Sequence, residues 1–137
     1  MSGAAPGAVL RIAAAVIRDE AGRVLVVRKR GTEAFMQPGG KLEPGEAPER
    51  ALVRELEEEL GLVVSPADLA VVGRFDAVAA NEADTRVDAW VYDAPLTGEP
   101  VAAAEIAELR WIDPADESLP LAPLHLEVVA PHVRGSR

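Results

Sequence analysis

With 137 residues, 49% of them apolar and 27% charged, the chain has material for one hydrophobic core and not for two. No apolar run approaches the roughly 18 residues of a membrane span, and residues 1–7 lack the basic start and apolar stretch of a signal peptide, so they are expected to be a disordered tail ahead of a single domain over 8–134. The net charge of −9 argues against a nucleic-acid backbone as partner, and the absence of cysteine removes disulfides and thiolate metal sites and fits a cytoplasmic location.

In chain order, residues 9–18 are rich in Val, Ile and Ala and predict a largely buried strand. A turn at 19–23 leads to a second strand over 24–28, so the pair is expected to form a hairpin. A polar loop begins at 28–31, a short extended piece is expected at 35–37, and Pro44-Gly45 marks a further turn. The clearest helix is 48–60: Pro48 suits its first position, Gly61 suits the left-handed residue past its end, and Leu52, Leu56 and Leu60 give it an apolar stripe. Strands are expected at 69–78 and 86–92 around a polar loop at 81–85, and a short one at 109–112. Residues 123–133 predict a C-terminal helix that Pro131 would cut short. A mixed sheet with helices packed on it, an α/β arrangement, is the natural architecture.

Chemistry concentrates on the helix. At about 100° per residue, Glu59 lies about 40° to one side of Glu55 and Glu58 about 60° to the other, while Glu57 falls on the far side and is assigned to solvent. Three like charges on one face weaken a helix by a few tenths of a kcal/mol per pair. A hard divalent cation, which seeks several oxygen ligands, gives such a face a reason to exist.

The segment Gly40, five residues, Glu46, seven residues, Arg54-Glu55-Leu56, one residue, Glu58-Glu59, one residue, Gly61-Leu62 resembles the Nudix box position for position. The resemblance extends to the strands around the box and to Glu105-Ile106 ahead of Trp111-Ile112. It implies an α/β/α sandwich with a mixed β-sheet and a loop-helix-loop catalytic motif. It implies a Mg²⁺-dependent hydrolase, with Mn²⁺ as substitute, that cleaves a diphosphate linkage in a nucleotide or nucleoside diphosphate derivative by water attack at phosphorus. The metal ligands it implies are Glu55, Glu58 and Glu59 with the carbonyl of Gly40. Arg54 resembles the arginine that pairs with box carboxylates, Glu46 the residue that braces the loop against the helix, and Gly39, Gly40 and Gly61 are structural.

For the general base, or a further metal ligand, Glu105 stands first, six residues before Trp111, where some relatives place a Glu. A solvated loop residue is the equal alternative; Glu59 is the next candidate, and Glu82 and Asp84 come last. Arg28, Lys29, Arg30 and Lys41 flank the box as phosphate contacts or as a solubilising strand end, with Lys41 and Arg28 singled out for substrate. Trp111 and Phe75 can stack on a base, though aromatics on strands are more often core, and neither His125 nor His132 has a ligand-spaced partner.

Two other readings accompany the hydrolase: a catalytically weak nucleotide-binding or regulatory module, and a prenyl-diphosphate isomerase, which characteristically uses a cysteine that this chain lacks. The expected partner is a small-molecule nucleotide, with no nucleic acid and no membrane; assembly as a homodimer is left open. Relatives that clean up oxidised guanine tend to carry an Asn in the stretch aligned with 121–124, and none stands there.

Overall fold

The computed structural model describes residues 7–135. The tail expected over 1–7 therefore lies almost wholly outside the described residues; Gly7, the one described member, donates its N–H to the carbonyl of Asp84 at 2.8 Å.

The strands are β1 (Ala8–Val16), β2 (Val24–Lys29), β3 (Gly39–Lys41), β4 (Ala70–Val78), β5 (Thr85–Asp93) and β6 (Ile106–Ile112), with helix α1 (Pro48–Leu60) after β3 and α2 (Ala130–Gly135) at the end. Four strands form a mixed sheet in the order β3-β1-β5-β4, with β1 parallel to β5 and the other pairs antiparallel. A separate antiparallel pair joins β2 to β6.

The hairpin expected from 9–18 and 24–28 is corrected here. Only the base of a hairpin forms, at the Arg18–Val24 bridge and the turn in which Asp19 and Arg23 exchange contacts. Beyond it the strands diverge: β1, buried in its second half, pairs with β5 and β3, while β2 leaves to pair with β6. A second difference concerns 39–41, for which no strand is expected from the sequence. These residues pair with β1 as a short strand, opposing Gly40 to Ala13 and Gly39 to Ala14.

Helix α1 lays Leu52, Leu56 and Leu60, all fully buried, onto one face of the sheet with Ala13, Ala15, Leu25 and Tyr92. Each buried Leu contributes roughly 1.5–3 kcal/mol, which outweighs the like-charge repulsion on the adjoining face of the helix. The other face is covered by the C-terminal helix through Leu124, Val129 and Val133 against Ala14, Val16 and Val91. Pro131 does not end that helix, contrary to expectation. Residues 125–129 form a π-helical turn in which Ala130 donates to the carbonyl of His125, and the helix continues to Gly135. The wider turn spaces the buried pair Leu124-His125 five residues from the buried pair Val129-Ala130, and it passes the proline without breaking the apolar stripe. Trp111 and Phe75 pack against these two cores. Among the described residues no helix is long and apolar enough to cross a membrane.

Candidate active site

The sequence places Gly39 and Gly40 where strand β3 must pass close to two neighbours. A Cβ at Gly39 would stand 2.0 Å from the carbonyl oxygen of Ala13, and one at Gly40 would stand 2.5 Å from the Glu55 carboxyl carbon. The absence of side chains thus lets the β3 backbone lie directly against Glu55. At the far end of α1, Gly61 takes φ 68° and donates to Glu57, while Leu62 donates to Leu56, closing the helix in a left-handed cap.

Arg54 is the hub on the near side. Its Nε and Nη2 donate to the two oxygens of Glu46 at 2.9 and 2.8 Å, its Nη1 donates to Glu55 at 2.9 Å, and Nη2 also reaches the carbonyl of Lys41 at 3.2 Å. Glu46 takes a further N–H from Glu43, at 2.9 Å. The Arg54 fork and that N–H hold the Glu46 carboxyl down at a pKa of about 2, and the same carboxylates raise the already high pKa of Arg54. One guanidinium therefore ties the 43–46 turn, the end of β3 and the carboxylate of Glu55 into one unit.

Glu59 differs from its neighbours. It is only 4% exposed, and its Oε1 has no hydrogen-bond partner. Burial pushes its pKa up to about 7, with Lys29 opposing the rise and Glu55 and Glu105 adding to it. Glu58 is exposed and reaches Arg54 only at 3.8 Å; Glu57 is exposed on the other side. Among the described residues the carboxylates do not close into a ready-made metal cage. What they offer is an orphaned buried oxygen on Glu59 among like charges, one of which, Glu55, lies against the bare backbone of Gly40. A divalent cation suits that environment, and a solvated helix face does not need it.

Glu105 comes from the chain ahead of β6. Ala103 and Val101 donate their N–H groups to the carbonyls of Glu59 and Leu60 at 2.9 and 3.1 Å, and the carbonyl of Glu105 accepts from Arg30 at 2.8 Å. Ala104 takes the left-handed φ of 53° that this turn requires. The loop is thus hooked to the last turn of α1, and Glu105 lies exposed at the lip of a cleft of about 460 Å³.

That cleft runs from Gly40 and Lys41 past Lys29 and Glu105 to an apolar wall of Ile12, Ala14, Val87 and Leu124. Arg28 is not among its walls. Adjacent residues on a strand face opposite ways, and Arg28 turns to Glu108 at 3.3 Å and to the carbonyl of Thr32 at 3.0 Å, over the ring of Phe35. Lys29, one residue on, faces the cleft. Glu82 lines the opposite rim and Asp84 does not, and Asn81 ties that rim to the 30–34 loop by accepting from the N–H of Ala34 at 3.1 Å. His132 pairs with Asp93 at 3.0 Å, away from the cleft. Gln37, which sequence reasoning left as part of an extended piece, also lines the cleft and meets His125 at 2.9 Å. Nothing in the sequence pairs these two; the fold does.

Comparison with known proteins gives a consistent picture. The family model described as NUDIX domain matches residues 9–131. A protein named 8-oxo-dGTP diphosphatase from Haemophilus influenzae is 43% identical over 65 residues, covering 44% of this chain and 48% of the relative. One named RNA pyrophosphohydrolase from Halorhodospira halophila is 47% identical over 58 residues, covering 42% of this chain and 31% of the relative. The chain thus spans about half, or less, of the length of these relatives. The crystal structure of a MutT NUDIX hydrolase from Burkholderia pseudomallei superposes with a TM-score of 0.73 at 28% identity, over 88% of this chain and 98% of that one.

Proposed function

Because the chain belongs to the NUDIX domain family, we propose that it is a divalent-cation-dependent pyrophosphohydrolase that splits the diphosphate linkage of a small nucleotide or nucleoside diphosphate derivative by water attack at phosphorus. The observation that carries this reading is the buried, unpartnered Oε1 of Glu59, which feels the charges of Glu55, Glu105 and Lys29, the last two of them lining a cleft that also presents Lys41. Glu55, Glu58 and Glu59 with the carbonyl of Gly40 would hold the ion, Mg²⁺ or Mn²⁺. Bound there, the ion neutralises diphosphate oxygens and makes water easier to deprotonate.

The chain's own residues do the rest. Lys29 and Lys41 meet the phosphates. Arg54 keeps Glu55 against Gly40 so that the carboxylate need not reorganise during the reaction. Glu105, exposed at the lip, takes the proton from the attacking water. The net charge of −9 favours a small substrate over a long RNA end.

The test is a substrate panel with Mg²⁺, with Mn²⁺ and with excess chelator. It includes ordinary nucleoside triphosphates, 8-oxo-dGTP (the substrate in the name of the Haemophilus relative), ADP-ribose and other nucleoside diphosphate derivatives, and is scored by product identity in ¹⁸O-labelled water. Phosphorylated products that carry the label, formed only with metal, are expected. Undiminished turnover with chelator, or no cleavage of any diphosphate, overturns the reading.

A further inference from the structure

Gln37, which lines the cleft, forms with the buried His125 a polar pair that the proposed hydrolysis does not use. Gln37 is 5% exposed and His125 fully buried, and the Gln37 amide nitrogen stands 2.9 Å from His125 Nδ1. Each residue keeps one buried polar atom without a partner, Oε1 of Gln37 and Nε2 of His125. Leaving a buried carbonyl unpaired costs on the order of 1–3 kcal/mol, so an amide retained at such a position is expected to find its partner in a ligand.

Burial, with the Arg134 charge adding to it, pushes the His125 imidazole down to about 4, so the ring is neutral at ordinary pH. As the amide is placed, its NH₂ faces Nδ1, which accepts from it with the ring proton on Nε2, and the amide carbonyl is turned away from the ring. Gln37 retains one carbonyl and one N–H, a neighbouring acceptor and donor. That combination is what a carboxamide presents when it reads the edge of a nucleobase. The same cleft is lined by Ile12, Ala14, Val87 and Leu124, apolar surfaces suited to a flat ring, and by the half-buried Lys29 and exposed Lys41 that the proposed function assigns to phosphate.

We propose that Gln37, oriented by His125, is the specificity-determining group that hydrogen-bonds the base edge of the substrate, so that this site takes base-bearing nucleotides in preference to diphosphates without a base. This rests on the reading of the cleft as the substrate site. His125 is a positioning residue: it touches Gln37 and sets which face of the amide meets the base.

The test is equilibrium binding, free of metal and turnover, of the four common nucleoside 5′-monophosphates and 8-oxo-dGMP, with ribose 5-phosphate as the base-free probe. At least one nucleotide is expected to bind about tenfold or more tighter than ribose 5-phosphate. Gln37→Met, which keeps the side-chain length without the amide, should bring that nucleotide down to the ribose 5-phosphate level and leave the latter's affinity unchanged. His125→Phe should erode the same ratio in part. A general structural fault would instead weaken both probes together, and retained thermal unfolding of each variant checks that it has folded. An unchanged ratio in Gln37→Met, or ribose 5-phosphate binding as tightly as every nucleotide, overturns the proposal. Hydrolysis of nucleotides by the wild type and by Gln37→Met with equal KM would sink this inference while leaving the pyrophosphohydrolase standing. Base-dependent binding without any hydrolysis would do the reverse.

Discussion

Arg54 grips Glu46 through two hydrogen bonds and with a third nitrogen holds Glu55, so a single guanidinium connects a turn residue to a carboxylate nine positions further along, on a different element. A lysine at this position keeps the charge and loses the fork. Arg54→Lys is therefore expected to lower kcat about tenfold to a hundredfold through a misplaced Glu55, with the fold intact. Steady-state kinetics alongside circular dichroism check this; unchanged kcat removes Arg54 from the positioning role.

The four glutamates of the last turns of α1 are expected to separate sharply. Glu58→Gln and Glu59→Gln should each lower turnover by about two orders of magnitude or more, because in the proposed reaction they hold the ion that neutralises the reacting diphosphate. Glu57, exposed on the other side of the helix, should be nearly silent as Gln. Similar losses at 57 and 58 would mean that the helix presents a different face.

Without metal, Glu59 keeps a buried oxygen unpartnered beside other carboxylates. Excess EDTA is expected to abolish activity, and millimolar Mg²⁺ to raise the melting temperature by binding the native state alone. In EDTA, Glu59→Gln should melt higher than wild type, by roughly 1 kcal/mol or about 4 °C, and should lose most of the Mg²⁺-induced shift. Differential scanning calorimetry with and without metal reads both effects.

Glu105 is hooked to α1 through its loop yet exposed at the cleft lip, a placement suited to a proton acceptor. Glu105→Gln should cut kcat strongly, leave KM nearly unchanged and remove the acidic limb of the pH–rate profile. If the two full profiles superimpose at saturating Mg²⁺, the base is to be sought at Glu59 and then on the rim at Glu82.

His125 also sets a pH dependence of stability. Its folded pKa lies below the ordinary histidine value, at about 4, so between about 6.5 and 4 the unfolded chain binds the extra proton and the native state does not. Stability from this group is complete above about pH 6.5 and falls by roughly 3 kcal/mol as the pH descends to 4. Urea denaturation at pH 7 and pH 5 should show the decline in wild type and a flatter response in His125→Phe; parallel declines would show that another group titrates.

The glutamate face of α1, its Leu stripe and both ends of the helix were legible because they depend on spacings within thirteen residues of one element, Pro48–Leu60. The architecture around it was less so. Nothing local in 9–28 says that β1 and β2 part company after one bridge, since that choice is made by β5 and β6, which arrive much later in the chain. The strand at Gly39–Lys41 was hidden because two glycines and a proline look like a turn, although here they mark the close approach of backbone to Ala13 and Glu55. Arg28 and Lys29 are chemically alike in a list, and only the alternation of β2 decides that the second of them meets the cleft. Gln37 and His125 stand 88 positions apart, and no periodicity links them.

The hooks from Ala103 and Val101 to the carbonyls of Glu59 and Leu60 make the two walls of the cleft unequal. One wall is geared to the helix: any shift of its last turn carries Glu105 along and keeps the proposed proton acceptor in step with the carboxylates of that turn. Among the described residues the other wall, made by Gln37, residues 80–82 and Leu124, has no such backbone hydrogen bond to α1. On the proposed reading, changes in substrate range can accumulate on that second wall, residue by residue, without retuning the chemistry on the first.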